Sequence, residues 1–400
     1  KNRLYKEVPI LLGISTYAYL VNWYSGNMGV IPIDSFGFLD TGYSIIQGHL
    51  PIRDFWIFTG LVVDYMEAAF LYLFGNNWNS HLAHSSFMNI VATTSLYLFL
   101  KEYNLNLSHI VFYCLSFATL CYPLSGTPFA YIHAYIFSLI AIFNLLIAIK
   151  KKSKFLWFLF PYACLIAFLS MQTPTAYILI ILFLLVIFYF FKDREFENLK
   201  FFLHGCFSSI VFFFLFLFLT QTPIINFIYQ YILFPLTIGE GRITSKEIAY
   251  ISLIDQLNFK RLIGEFKFIH IFFIPLIYLT LKNIKKNNRD LNILNLTIIF
   301  SVFAFFFNQL ITANQIYIFS LIPILAAVLH INLDNLKINP KLFYVIILVS
   351  LFVTVKFHFR FNIDRKFHDL ENIDKHKAIN ANVVNKNFKN LKWISKLDDP

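Results

Sequence analysis

Apolar runs long enough to cross a membrane recur along most of the chain, and short polar breaks separate them. A membrane-spanning helix needs about 20 apolar residues. Segments of this kind lie at 8–24, 80–100, 108–124, 128–149, 155–171, 175–191, 199–219, 267–281, 291–311, 316–333 and 342–357. The pattern therefore predicts an all-α polytopic membrane protein with about eleven transmembrane helices.

A further apolar stretch, residues 57–75, differs from the others because it contains Asp64 and Glu67 and is interrupted by glycine. Ionised carboxylates are costly in lipid, so these two acids must face water, a cavity or a partner. We expect this stretch to lie at the membrane interface or partly buried, without spanning. A role in a substrate groove is open for both acids.

Lys and Arg gather in alternate loops, which orients the chain by the positive-inside rule. A cytoplasmic N-terminus places 17 Lys and Arg in cytoplasmic loops and six on the opposite side before the tail. Two extracytoplasmic loops are then long, 25–79 and 220–266. We expect a transmembrane domain over 1–357 and a polar extracytoplasmic tail over 358–400. The missing initiator Met leaves open that one or both ends are truncated.

Composition agrees with a membrane location, since 58% of the residues are hydrophobic, 14% are charged and the mean hydropathy is +0.64. The net charge of +11 follows mainly from the basic cytoplasmic loops, so we expect no nucleic-acid partner. Cys114, Cys121, Cys164 and Cys206 lie in apolar runs without metal-ligand spacing and are expected to be small core residues. Glycine-rich phosphate-binding motifs are absent from the sequence, which argues against a protein driven by nucleotide hydrolysis.

Polar residues that could carry chemistry concentrate in the first long loop, in the run "DSFGFLDTGYSIIQGHLPIRDFW" from Asp34 to Trp56. Its first half predicts an amphipathic helix that begins at Asp34, and Gly48 and Pro51 end it. Asp34 is either a helix cap or a functional carboxylate. Asp40 is six residues further along the helix, which rotates it away from Asp34, so we expect it to be surface.

This run resembles the first-loop signature of GT-C glycosyltransferases of the protein O-mannosyltransferase and aminoarabinose transferase kind. The shared pattern is an Asp, a Tyr, Gly-x-x-Pro and Asp-Phe, followed by an apolar helix that ends in Leu-Phe-Gly, here "YLFG" at 72–75. The sequence departs from the pattern at Ser35, where many relatives have Glu, and at Ile52, where they have Tyr. It also has Met171 where a Lys is expected. These departures leave open a changed or degenerate donor site.

The resemblance implies an enzyme of the bacterial cytoplasmic (inner) membrane, surrounded by membrane lipids, with its active site on the extracytoplasmic side. It would move a sugar from a polyprenyl-phosphate-linked donor to a lipid, glycan or protein acceptor. Asp34 inherits the role of general base, since a carboxylate within reach of the acceptor hydroxyl can take its proton. The phosphate leaving group needs cations or a metal. Arg53 is the nearest cation, and Arg242 is either a phosphate ligand or a solvated loop charge.

Other polar residues near the outer face are weaker candidates for binding substrate. Asp54 forms a supporting turn with Arg53, His133 is either structural or in reach of a substrate hydroxyl, and Gln172 caps an outer turn or binds substrate. No cofactor is required by the sequence, and a divalent cation is left open. The rival functions are a different GT-C-like polymerase or ligase, a secondary transporter or flippase, and an inactive scaffold.

Overall fold

The structure is a computed structural model, and it describes residues 2–30, 34–57, 60–193, 196–244, 257–284, 288–312, 317–337, 341–366, 374–383, 386 and 392–393. Of the residues that the structure describes, 84% are helical. Strand pairing in the described part joins Ile379–Asn380 to Lys392–Trp393 in an antiparallel ribbon of two residues per strand. The predicted all-α class is therefore confirmed.

In chain order the helices are α1 (Asn2–Met28), α2 (Ser35–Ile46), α3 (Leu61–Phe74), α4 (Trp78–Lys101), α5 (Leu107–Leu120), α6 (Ala130–Lys151), α7 (Lys154–Ser170), α8 (Gln172–Asp193), α9 (Phe196–Leu219), α10 (Ile224–Phe227), α11 (Phe234–Thr244), α12 (Phe259–Glu265), α13 (Lys267–Ile284), α14 (Arg289–Ile311), α15 (Leu321–Asn335) and α16 (Lys341–Asp364). A π-helix, Ile228–Leu233, joins α10 to α11, and short 3₁₀ turns cover Tyr122–Leu124, Lys375–Lys377 and Ala381–Val383.

A helix overlaps each of the eleven apolar segments, but fewer have the length and composition of a membrane span. Six spans in the described part qualify: Leu107–Leu124, Ala130–Lys151, Gln172–Lys192, Phe196–Leu219, Arg289–Ile311 and Lys341–Asp364. A seventh is obtained if α12 and α13, which meet at a bend of 99°, count as one. The remaining overlapping helices are more polar, as in α1 and α4, or shorter, as in α7 and α15. Six or seven apolar spans are thus shown, and they support a membrane protein.

The outer helices expose large apolar side chains, which a water-soluble protein would bury. In α8 and α9, Phe191 is 83% exposed and Phe218 is 77% exposed. By contrast, α6 packs against α4, α7 and α8 and keeps most of its side chains buried. The bundle therefore has a protein-facing core around α6 and a surface suited to lipid on its periphery.

Polar residues inside the bundle join helices by hydrogen bonds. The side-chain amide of Asn89 donates to the carbonyl oxygens of Ala18 and Ala118, which links α4 to α1 and α5. Asn295 and Asn332 exchange two amide hydrogen bonds of 2.8 Å between α14 and α15. Cys114, Cys121 and Cys164 are buried free thiols, as expected for core residues, while Cys206 is half-buried. Hydrogen bonds between polar side chains, like those of the asparagines, commonly hold helices together in an apolar medium.

The two helices of the first loop pack tightly against each other at Gly42. The Gly42 Cα faces Glu67 on α3 so closely that a Cβ there would lie 2.5 Å from the Glu67 Cγ and 3.1 Å from the Ala68 amide nitrogen. Only glycine fits without displacing the α3 backbone. The predicted amphipathic helix after Asp34 is confirmed as α2, and α3, with 14 residues, is shorter than a span.

Replacing Gly42 by alanine should destabilise the protein by about 1–3 kcal/mol, because overpacking forces backbone or side-chain shifts. The measurement is the thermal unfolding midpoint of the purified protein in detergent. The matched control is Gly13→Ala in α1, where a Cβ has no heavy atom within 4 Å. Gly13→Ala should be neutral or slightly stabilising. Equal midpoints for the two variants would contradict the close contact.

Candidate functional site in the first loop

Asp34 lies just before α2, and its side chain is exposed. It makes no side-chain capping hydrogen bond to the helix that follows, so the cap alternative for this residue has no support in the geometry. The negative charge of its carboxylate acts on the Tyr317 hydroxyl. Asp34 is therefore a solvent-accessible carboxylate at the start of the motif.

The helix that presents Asp34 is fixed at its first residue. The Ser35 hydroxyl is buried and lies 2.7 Å from the Thr127 hydroxyl, in the segment between α5 and α6. The Gly37 amide donates to the Asp34 carbonyl oxygen at 2.9 Å. The Ser35 side chain therefore anchors α2 to the bundle.

Arg53 and Asp54 form the turn that the sequence predicted after α2. Two guanidinium nitrogens of Arg53 donate to the Asp54 carboxylate at 2.9 and 2.6 Å, and the Leu50 amide donates to it at 2.7 Å. The hydrogen bond from Arg53 and then the one from Leu50 lower the pKa of Asp54 to about 2. Asp54 is consequently ionised over the physiological pH range. Ile52 adopts a positive φ of 70° in the same turn, which is a rare and strained conformation for a β-branched residue.

The second long loop holds this turn in place. The Gln230 side chain accepts from the Ile57 amide at 3.3 Å and donates to the Ile52 carbonyl at 3.2 Å. The Trp56 ring makes edge contacts with Tyr229 and Phe234, with centroids 6.1 and 5.0 Å apart. Arg53 also reaches the Thr220 carbonyl at 3.4 Å. The two long loops, predicted separately from the sequence, therefore pack together.

Gln172, predicted as a capping or substrate-binding residue, contributes to the same assembly from α8. Its side-chain amide donates to the Tyr231 carbonyl at 2.9 Å, and the Tyr231 hydroxyl donates to the Phe168 carbonyl at 2.6 Å. Met171, which stands where a Lys was expected, packs against the apolar cluster of Phe38, Val63 and Ala130. Gln172 thus positions the second loop in this structure.

A cavity of about 520 Å³ opens between α2 and the turn that follows it. Its lining combines carboxylates, hydroxyls, an imidazole and aromatic rings: Gly37, Asp40, Thr41, Ser44, His49, Asp54, Phe55 and Trp56. Asp40 was expected to be plain surface, and His49 had no role in the sequence analysis. Both line the cavity because the turn folds back over the face of α2 that carries residues 37, 40, 41 and 44.

Asp34 is not among the residues that line this cavity. Helical periodicity nevertheless places it one turn before Gly37 and two turns before Thr41, on the same stripe of α2. The stripe of α2 that begins at Asp34 therefore continues into the cavity wall. A substrate that fills the cavity and extends along this stripe would reach Asp34.

Asp64 lies directly behind the cavity wall. The Thr41 hydroxyl, part of the lining, donates to Asp64 Oδ1 at 2.8 Å, and Asp64 Oδ2 has no hydrogen-bond partner in the described part of the chain. Burial raises the pKa of Asp64 to about 7, against the lowering effect of the Thr41 hydrogen bond. A proton on Oδ2 is thus favoured in the folded state near neutral pH.

This shift gives the stability a pH dependence that Asp64→Asn should remove. Between about pH 4 and 7 the folded protein holds a proton on Asp64 that the unfolded chain has lost, so stability falls as pH rises through this window. The wild-type unfolding midpoint should decrease relative to that of Asp64→Asn across the same range, measured by a thermal-shift assay in detergent. Parallel curves for the two proteins would disprove the buried protonated acid.

His133 belongs to a fully buried polar network, which the sequence analysis did not foresee. His81 Nδ1 lies 2.8 Å from Glu67 Oε1, and His84 Nδ1 lies 2.7 Å from Glu67 Oε2. His84 Nε2 lies 3.0 Å from His133 Nε2, and His133 Nδ1 lies 2.9 Å from the Tyr122 hydroxyl. All of these side chains have 0% exposure. We call the five residues Glu67, His81, His84, His133 and Tyr122 the histidine network.

Burial by itself raises the pKa of Glu67, but electrostatic attraction to His81 and the hydrogen bonds from His81 and His84 together lower it to about 2. The sequence required a partner for this acid in an apolar stretch, and His81 and His84 are that partner. One signal was visible beforehand, because His81 and His84 are three residues apart and so share one face of α4. Their contact with His133 comes from tertiary packing.

Arg242 lies in α11, but its side chain falls outside the described part of the chain. Its predicted role as a phosphate ligand therefore stays a prediction. Within the described residues, no group of three or more His, Cys, Asp or Glu side chains is arranged to hold a metal ion. No protein-family model matches this chain. No curated protein sequence matches it significantly.

Proposed function

We propose that this chain is a GT-C-type membrane glycosyltransferase that transfers a sugar from a polyprenyl-phosphate-linked donor to a cell-envelope acceptor. The supporting observation is the cavity between α2 and the Arg53–Asp54 turn, together with the exposed Asp34 at the start of the same helix. Its aromatic rings offer apolar faces to a sugar ring, and its carboxylates and hydroxyls offer hydrogen-bond partners. The acceptor is a lipid, a glycan or a protein of the cell envelope.

In the proposed reaction, Asp34 takes the proton of the acceptor hydroxyl while that oxygen attacks the anomeric carbon of the donor sugar. The bond between the anomeric carbon and the carrier phosphate breaks, and polyprenyl phosphate leaves with the bonding electrons. Arg53 and Arg242 are the cations proposed to stabilise the leaving phosphate. Arg53 would act from a turn in which it already pairs with Asp54.

The proposed setting is the bacterial cytoplasmic membrane, with about eleven membrane-spanning helices, a cytoplasmic N-terminus and an extracytoplasmic active site. Six or seven helices have the length and apolar composition for this. The overlap of further helices with the remaining apolar segments, and the basic loops on one side, support the higher number. Asp54, Gln172 and His133 are proposed to support substrate binding from the positions described above.

The experiment for this function uses the native cell. Deletion of the gene should remove one saccharide from an envelope glycoconjugate and cause the corresponding polyprenyl-phosphate sugar to accumulate, both measured by mass spectrometry. Expression of the wild-type chain should reverse both changes. An unchanged glycoconjugate and an unchanged donor pool in the deletion strain would contradict the proposal.

A proton-coupled secondary transporter is the second candidate, and the histidine network favours it, because buried Glu and His chains are used as proton relays in membranes. The extent of the network argues against this function. His81 and His84 lie in the first two turns of α4, and His133 lies in the first turn of α6. The network therefore stays at one end of the bundle. Substrate uptake driven by a proton gradient in proteoliposomes would favour the transporter instead.

A further inference from the structure

When the three imidazoles are neutral, the side-chain hydrogen bonds of the histidine network run in one direction, and the 3.1 Å contact between His133 Nδ1 and the Phe129 carbonyl oxygen is then not a hydrogen bond. Glu67 is a carboxylate and can only accept, so His84 Nδ1 must carry a proton and donate to it. A neutral His84 then has a bare Nε2, which accepts from His133 Nε2. His133 Nδ1 is in turn bare and accepts from the Tyr122 hydroxyl, whose oxygen accepts from the Phe129 amide at 3.1 Å.

The other branch of the network ends at His81. Its Nδ1 donates to Glu67 Oε1 at 2.8 Å, which leaves Nε2 as the bare acceptor nitrogen. His81 Nε2 is buried and has no hydrogen-bond partner within the described part of the chain. A buried acceptor without a donor is costly and rare in folded proteins. A carboxylate that fixes one imidazole nitrogen and exposes the other is also how proteins prepare a histidine to bind or accept a proton.

The half-buried Trp78 ring packs against the His81 ring. The centroids of these two rings are 5.3 Å apart, and the Trp78 ring also contacts the Phe36 ring, at 6.1 Å. Phe36 is 47% exposed and lies two residues after Asp34. His81 is therefore one aromatic layer below the surface that carries Asp34.

We propose that His81 Nε2 is the acceptor for a hydroxyl group of the transferred sugar, reached when the Trp78 side chain moves aside and stacks on the sugar ring. Glu67 and His84 then act as positioning residues, since they hold the His81 tautomer and ring. This inference rests on the proposed glycosyl transfer for the identity of its ligand. The first part of the proposal, that His81 Nε2 is bare and covered by Trp78, does not depend on that function.

The bare nitrogen is tested by carbethoxylation with diethyl pyrocarbonate, which attacks unprotonated imidazole nitrogens, followed by mass spectrometry of each histidine. In the wild type, His81 should react before His84 and His133, whose nitrogens are all engaged. Trp78→Ala should speed the modification of His81 by about tenfold or more, because it removes the cover that must open for access. Trp56→Ala, which removes an indole from the turn, should leave the His81 rate unchanged.

If His81 reacts no earlier than His84 in the wild type, the assignment of a bare His81 Nε2 is wrong. This comparison uses only the wild type, so it is valid even where Trp78→Ala fails to fold. If both variants fold and His81 is modified at the same rate in Trp78→Ala and Trp56→Ala, the claim that Trp78 covers His81 is wrong. Faster modification confined to His81 in Trp78→Ala supports both.

The hydroxyl is tested with monodeoxy analogues of the donor sugar on a short polyprenyl phosphate, using the reconstituted full chain. The wild type should discriminate against one analogue by about 10- to 100-fold in kcat/KM, because that analogue leaves the buried acceptor unpaired. His81→Leu should abolish this discrimination, and His81→Gln, which keeps an acceptor oxygen, should retain part of it. The control His330→Gln, at a histidine bonded to Tyr113 outside the site, should discriminate like the wild type.

Full discrimination by His81→Leu overturns the hydroxyl assignment and leaves the transferase proposal intact. Failure of the wild type to consume any sugar donor overturns the transferase proposal, and the hydroxyl assignment with it. Lost discrimination in His81→Leu, retained in His330→Gln, supports the assignment.

Discussion

Asp34→Asn should lower the rate of sugar transfer by about 10²- to 10⁴-fold, the range expected when a general base is removed. The amide has the shape of the carboxylate but cannot accept the proton of the attacking hydroxyl. Because the Asp34 side chain is exposed and makes no capping hydrogen bond, the unfolding midpoint should be unchanged. The measurement is the transfer rate at saturating donor and acceptor, with the midpoint recorded on the same preparation.

The control for this variant is Asp334→Asn, another exposed carboxylate, located at the C-terminal end of α15. It should transfer at the wild-type rate. Full activity in Asp34→Asn would remove the base assignment, and equal losses in both variants would indicate that the effect is not specific to Asp34.

Glu67→Ala should destabilise the fold by about 3–5 kcal/mol, the cost expected for leaving buried hydrogen-bond donors unpaired and opening a cavity. Glu67 accepts from both His81 and His84, and all three side chains have 0% exposure. The truncation leaves two buried imidazole donors unpaired and creates a cavity where α2 and α3 meet at Gly42. The unfolding midpoint of the purified protein, measured by tryptophan fluorescence in detergent, should fall steeply.

The matched control is Glu197→Ala, which removes an ion pair with Lys154 in which the glutamate side chain is 75% exposed. Exposed pairs contribute about 0–1 kcal/mol, so this midpoint should barely move. Similar small shifts in both variants would mean that the histidine network contributes little to stability.

The sequence predicted the elements better than it predicted their contacts. Helix α2, its start at Asp34 and the Arg53–Asp54 turn follow from local signals: an amphipathic period, a glycine and a proline. The need for a partner to Glu67 followed from the cost of an acid in an apolar stretch. These signals act over a few residues, so one sequence reveals them.

The missed features arise from contacts between distant segments. His133 joins His84 across 49 residues, and Gln230 ties the Ile52 carbonyl across 178 residues. Asp40 was assigned to the surface, and its side chain is exposed. It lines the cavity because residues 49–56 fold back over its face, which helical periodicity cannot predict.

The prediction of the number of membrane spans was also limited, because hydropathy is local information. The segment 80–100 appears as a span by its apolar residues, but the start of α4 carries His81, His84 and Asn89. These residues are buried against α1, α3, α5 and α6 by hydrogen bonds. Hydrogen bonds between helices therefore allow a helix with polar residues to lie inside an apolar bundle. Hydropathy alone does not distinguish such a helix from one that faces lipid.

Turnover of the donor by the purified, reconstituted chain tests the central claim most directly. A panel of polyprenyl-phosphate-linked sugars is offered with a cell-envelope extract as the acceptor source, and released polyprenyl phosphate is quantified by mass spectrometry. We predict that the wild type consumes one donor of the panel and that Asp34→Asn consumes none at a comparable rate. Release from no donor, or equal release by the wild type and Asp34→Asn, would contradict the account.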